Sequence, residues 1–329
     1  MPITKVTTGT IADDSIQSLK NRNRIINGDM RIDQRNAGSS VTLNGLSYSV
    51  DRWGTQASQN SKATIQQSST APTRFTKSVV VTSSSAYSPL ATDYFWLYQT
   101  IEGFNIADLY WGSASAQTVT LSFWVRSSLT GTFSVRLGSG SRSYVTTYTI
   151  ASADTYEYKT VTIPGDTSGT WNTTNGGGIQ VQFDLGSGSN RTTSTTNAWQ
   201  AGDFQKATGS VSLVSTNGAT FYITGVQLEV GDVATPFEHK VFSDELARCM
   251  RYFEAEVPTW GTPRSSDNVI HSPGYFKVQK RSTPTMTLVL DTYSKNPSIQ
   301  KVNADYYVTY VTGTASTSLD ATFDADAEL

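Results

Sequence analysis

The chain has 329 residues, with 25 Lys plus Arg against 27 Asp plus Glu and a formal charge of −2. Only 16% of residues are charged, while 41 Ser and 47 Thr make up more than a quarter of the chain. Such a surface has no positive charge with which to release counterions, which argues against duplex nucleic acid as a partner. A 37% hydrophobic content with 11% aromatics is enough to build a core and argues against disorder. One cysteine (Cys249) and two histidines (His239, His271) leave no intrachain disulfide and too few ligands for a structural Cys/His zinc site.

Residues 1–22 read as a polar arm whose Ile11, Ile16 and Leu19 fit one short helix begun by Asp13 or Asp14. The arm is either loosely ordered or a peptide that orders on a partner. It lacks the apolar stretch of a secretory signal, and no run in the chain is apolar for 18 residues. Synthesis in a reducing cytoplasm without membrane insertion is expected.

Residues 23–240 alternate with period two. In TVTLSFWVRSS, Val119, Leu121, Phe123 and Val125 face one way and Thr120, Ser122, Trp124 and Arg126 the other. The same alternation gives Phe133, Val135 and Leu137, then Ile179, Val181, Phe183 and Leu185, as inward sets. YKTVTIPGD assigns Tyr158, Val161 and Ile163 to the core, with Pro164-Gly165 ending the strand. In ATFYITGVQLEVGD the phase slips at Gly225, which predicts a bulge. Short strands separated by Gly/Ser/Asn turns predict an all-β jelly-roll sandwich.

Residues 241–254 predict the one helix. Ser243 is its expected N-cap, Asp244 and Glu245 complement the dipole, and Leu246, Cys249, Met250 and Phe253 form one apolar stripe. That stripe packs either on its own chain or as a seam between copies. Residues 255–329 read as a small C-terminal β domain, with strands in GYFKVQK, TMTLVLD, ADYYVTYVTG and LDATFDADAEL. About 75 residues make a marginal core alone, so docking or oligomerisation is expected.

Two loops carry the chemistry best suited to sugar binding. Trp171 lies in DTSGTWNTTNGGG and Trp199 in NRTTSTTNAWQAGD, with Asn172, Asn175, Asn197 and Gln200 beside them. An indole face takes the C–H side of a pyranose and amides satisfy its hydroxyls; the alternative is that each Trp plugs its own loop onto the sandwich. Trp53, Trp96, Trp111 and Trp124 lie in strand-like text and read as core or interface. Carboxylate pairs such as Asp184 with Glu229, or Glu102 with Asp108, lie in no hydrolase motif, so no catalytic residue is expected.

RIINGDMRIDQR with SVDRWGT, DYFWLYQTIEG with QTVTLSFWVRSS, and FYITGVQLEVGDVATPFE leading to SDELARCMRYFE together resemble virion structural proteins of tailed bacteriophages, especially tail-fibre or receptor-binding chains. The first two segments also resemble jelly-roll carbohydrate-binding modules. The resemblance spans about residues 24–254 and implies a non-enzymatic homotrimer, adhering to host surface glycans and meeting other virion proteins through its arm. Trimerisation would multiply a weak sugar contact by avidity. A capsid decoration or head-fibre protein docked through the arm is the alternative, and an envelope polysaccharide depolymerase the second. The module likeness also implies a structural calcium, for which Asp29 and Glu229 are the candidate ligands, although two carboxylates fall short of the six to eight oxygens calcium takes.

Overall fold

The computed structural model describes residues 21–261, 269–292, 296–312 and 319–329. The predicted arm therefore lies, through residue 20, outside the described residues. Among the described residues, fifteen strands precede the helix: β1 (Val41–Thr42), β2 (Gly45–Tyr48), β3 (Gly54–Ala57), β4 (Ala63–Ser68), β5 (Ser78–Ser83), β6 (Phe95–Glu102), β7 (Val119–Ser127), β8 (Gly131–Gly138), β9 (Arg142–Ile150), β10 (Glu157–Ile163), β11 (Gly177–Asp184), β12 (Thr192–Thr193), β13 (Trp199–Ala201), β14 (Lys206–Ala207) and β15 (Thr220–Val230). They build a jelly-roll sandwich of a six-stranded sheet, β1-β4-β5-β15-β7-β10, facing a seven-stranded one, β13-β9-β8-β11-β6-β3-β2. β12 and β14 pair separately.

The core lies where the alternation put it. Val119, Leu121, Phe123 and Val125 are fully buried, and Phe123 meets Phe183 of the opposite sheet edge-on at 5.1 Å between centroids. Phe133, Val135, Leu137, Ile179 and Val181 complete this layer. Removing such side chains from water stabilises the fold by about 1.5–3 kcal/mol each. Tyr158 is a correction: it sits an odd number of residues from Val161 and Ile163 and points to the opposite face, 44% exposed. The opening segment runs beside β15 with two backbone bonds to it, Arg24 N–H to Leu228 O and Val226 N–H to Gly28 O.

The helix, α1, spans Phe242–Met250 and is shorter than its apolar stripe suggested. Val241, extended at ψ 139°, is the N-cap and no side chain caps the helix, so Ser243 falls inside the first turn. Phe253 is not helical: it opens β16 (Phe253–Gly261), which pairs with the end of the chain. The stripe packs on its own chain. Cys249 and Tyr252 are buried against Ile26 and Ile32, with Leu246 and Leu329 at the edge of the cluster. Phe253 is buried beneath the Arg35 guanidinium, 3.7 Å from its ring centroid, and Met250 is half-buried. A seam through Leu246, Cys249, Met250 and Phe253 would need surface that the opening segment and the C-terminus already cover.

After β16 come β17 (Val269–Tyr275), β18 (Thr285–Asp291), β19 (Ser298–Val302), β20 (Tyr306–Thr312) and β21 (Leu319–Asp326). They form two three-stranded sheets, β16-β21-β18 and β17-β20-β19. The expected strand in GYFKVQK ends at Tyr275, and β16 and β19 went unforeseen. Buried charge fastens this unit to the sandwich. Arg52 pairs with Glu328 and stacks on Tyr252 at 3.5 Å, while Arg35 pairs with Asp326 at 2.8 Å. Arg281 Nη1 donates to the carbonyl of Asn175 in the sandwich at 2.8 Å.

Candidate functional site

The two tryptophans singled out from the sequence meet, but as a plug. Trp111, Trp171 and Trp199 pack edge-to-face with centroids 4.8, 5.1 and 5.4 Å apart. Each indole N–H is spent internally, on Gln117 O, Ser168 O and Pro164 O respectively. Trp171 is only 7% exposed and has no open face for a sugar, whereas Trp199 is half-buried against Tyr144. The neighbouring amides serve loop closure. Asn172 Oδ1 accepts from Thr174 N–H and hydroxyl, Asn197 Oδ1 accepts from Thr146, and Gln200 bridges Thr193 and Thr195. Asn175 instead faces the C-terminal unit, donating to Arg281 O.

The carboxylates are likewise committed. Asp29 lies in a turn, not on a strand, and pairs with Arg31. Glu229 accepts from Thr235 N–H at 2.8 Å and from its hydroxyl at 2.6 Å, and takes a further bond from Gln227. Among the described residues no three His, Cys, Asp or Glu are grouped to hold a metal ion. Burial pushes the Glu102 carboxyl up, but bidentate Arg251 and the Tyr252 hydroxyl outweigh it and hold it below the ordinary range. Asp108 pairs with Arg24. Asp184, its carboxyl pushed up by burial, accepts from Ser187.

An open aromatic cleft lies elsewhere, on the outer face of the six-stranded sheet. Trp124 of β7 and Tyr158 of β10 are direct cross-strand partners, so their side chains share that face, with centroids 5.4 Å apart. Beside Trp124, β15 bulges between Thr224 and Gln227, where Gly225 adopts φ +62°. A Cβ on Gly225 would lie 2.6 Å from Phe75 Cζ and 3.1 Å from Trp124 Cδ1. The bulge predicted from the phase slip therefore makes the floor that lets both rings close in.

The far wall is a strap after β15. Glu229 anchors Thr235, and Gln227 Oε1 accepts from Glu238 N–H at 2.8 Å, pinning Phe237 and His239 above the sheet. Phe75, Phe237 and His239 contact one another with centroids 4.9–5.3 Å apart. The enclosed space is about 330 Å³. At its rim, Thr73, Arg74, Tyr158 and His239 make no side-chain hydrogen bond within the described residues, and Arg74 holds a left-handed φ of +78°. Desolvation lowers the His239 pKa despite the Asp29 carboxylate, so the ring is neutral at pH 7 and offers one donor and one acceptor. No carboxylate lines the cleft. The arrangement stacks a flat, partly apolar ring and bonds its edge. Sequence reading placed Trp124 on the second face and Gly225 at a bulge, but gave no signal for Phe75 or the strap.

No family model matches this chain, and no curated protein matches it. Among solved structures, it is similar to the enzymatically active domain of tailspike protein 4 of bacteriophage CBA120, at 12% identity over 64% of this chain and 22% of that one, TM-score 0.32. It is similar to a family 11 carbohydrate-binding module of Clostridium thermocellum in complex with a β-1,3-1,4-mixed-linked tetrasaccharide, at 15% identity over 61% and 100%, TM-score 0.30. It is also similar to the N-terminal cellulose-binding domain of β-1,4-glucanase C of Cellulomonas fimi, at 15% identity over 52% and 85%, TM-score 0.26. Likenesses this distant leave the chemistry of the cleft to be read from its own side chains.

Proposed function

We infer that this chain is a structural, non-enzymatic component of a bacteriophage virion, a homotrimeric tail fibre or receptor-binding protein that adheres to host surface glycans. The observation that carries glycan binding is the cleft over Gly225: a Trp124–Tyr158 pair faces the Phe75, Phe237 and His239 rings, with free hydrogen-bonding groups at the rim. The virion role rests on the sequence resemblance, whose VQLEVGDVATPFE segment is the one that forms β15 and the strap. Self-association draws on the exposed Leu288, Val289 and Leu290 of β18, an edge strand, and not on the covered helix stripe. Three copies turn a weak sugar contact into firm adhesion.

Glycan-array binding by the full chain tests this reading. Trp124→Ala with Tyr158→Ala removes two ring faces and is expected to lower affinity about 10- to 100-fold, the equivalent of about 1.5–3 kcal/mol. Unchanged array binding by that double variant refutes the site. Labelling of the intact particle is expected at the tail; signal confined to the head assigns the chain to capsid decoration instead.

A further inference from the structure

The small C-terminal unit presents the two most exposed large apolar side chains among the described residues, Tyr275 at 80% and Trp260 at 76%. They flank a cleft of about 340 Å³ between β16 and β17. Its floor is built tightly. Tyr307 lies across Gly274, where a Cβ would come within 2.2 Å of the phenol, and its hydroxyl donates to Pro258 O. Ser272 Oγ donates to Trp260 O at 2.6 Å and ties the two strands together. His271 turns Nδ1 to Gln300 Oε1 at 3.0 Å, and among the described residues neither its Nε2 nor the Trp260 indole N–H has a hydrogen-bond partner. Among the described residues, no Asp, Glu, Lys or Arg lines the cleft.

We propose that this cleft is a second carbohydrate site, taking a neutral pyranose between Trp260 and Tyr275. Two separate aromatic plates over a rigid floor, with uncharged donors and acceptors between them, match a ring that has apolar C–H faces and a hydroxyl rim. Among the described lining residues a charged ligand would find no counter-ion. A second copy of the chain has a better-suited surface in the same unit, the continuous apolar run Leu288, Val289 and Leu290 on the open edge of β18. The site stands independently of the cleft over Gly225. With both occupied, each chain contributes two contacts to avidity.

The test is a ¹H–¹⁵N spectrum of the full chain, with the Trp260 indole signal assigned through Trp260→Phe. Neutral oligosaccharides of glucose, galactose, mannose and N-acetylglucosamine are titrated to millimolar concentration. The Trp260 signal is expected to shift saturably with at least one of them. Tyr275→Ala should weaken that titration about tenfold, and Trp124→Ala should leave it unchanged. A Trp260 signal that no oligosaccharide moves, one that titrates identically in Tyr275→Ala, or one that responds only to protein concentration overturns the proposal. If the Trp260 titration succeeds while Trp124→Ala with Tyr158→Ala leaves array binding intact, the sandwich cleft fails and this site remains.

Discussion

Gly225→Ala probes the cleft most directly, because one methyl group acts on backbone and binding at once. At φ +62° an alanine costs about 1–2 kcal/mol in backbone strain. Its Cβ would also lie 2.6 Å from Phe75 Cζ and 2.9 Å from Cε1. Phe75 is a half-buried side chain on a loop, so its ring gives way at small further cost and swings out of the cleft. The total is about 1–3 kcal/mol, which lowers Tm by roughly 3–10 °C in a sandwich of this size. Glycan affinity should fall about tenfold or more as the Phe75 wall is displaced. Gly218→Ala is the matched control: φ is +74°, yet nothing lies within 4 Å of its Cβ. It should show the strain in calorimetry and bind glycan normally. Equal glycan affinity of the two variants would refute the reasoning that the bulge exists to seat the rings.

Trp171→Ala, which opens the three-indole plug, should cost about 3–5 kcal/mol in chemical denaturation and leave array binding intact in the folded protein; selective loss of glycan binding would restore Trp171 as a contact residue. Burial pushes the Asp51 carboxyl from its ordinary value near 3.8 up to about 6, despite two bonds from Gln34. Since the folded state holds that proton more tightly than the unfolded chain, the stabilisation is complete below about pH 4 and is lost as pH rises through 6, roughly 3 kcal/mol in all. Asp51→Asn should narrow the stability difference between pH 4 and pH 7 by that order, and urea melts with an unchanged difference count against it. Glu328→Ala leaves the buried Arg52 guanidinium without its carboxylate and should cost about 3–5 kcal/mol, seen as earlier proteolysis of the C-terminal unit. Leu290→Lys places a charge on the open β18 edge and should shift sedimentation toward the 35.7 kDa monomer; an unmoved oligomer locates the seam elsewhere.

What the sequence disclosed is what local alternation controls. Val119, Leu121, Phe123 and Val125 face the core because each sheet has one side turned to its partner, and period two registers that side directly. Gly225 disclosed its bulge because a phase slip at glycine has few other causes. By the same parity Tyr158 faces away from Ile163 and out of the core. The helix was drawn too long because Phe253 continues its stripe, yet pairing with Asp326 from the end of the chain outweighs helical periodicity. The tryptophan loops look solvent-exposed in composition, but Trp171 and Trp199 converge on Trp111, a contact that only the folded chain creates. The cleft itself joins a loop before β5, a strand pair and a strap after β15. Its strap is held by Glu229, whose carboxylate reads in isolation as a cation ligand and in the fold as a hydrogen-bond anchor.

Charge is scarce in this chain, and much of it is turned inward. Arg136 and Lys280 have no exposed side-chain surface, and Arg52, Glu102, Asp166, Glu229 and Glu254 have almost none. Each is paired or hydrogen-bonded, and the ions act as clasps between segments. The outer surface carries many hydroxyls and amides and a few aromatic rings beside scattered charges such as Asp108, Asp154 and Lys277. Such a surface exerts little long-range field and gains little from non-specific ionic attraction. Recognition then depends on stacking and directed hydrogen bonds at short range, and that is the chemistry the two aromatic clefts offer.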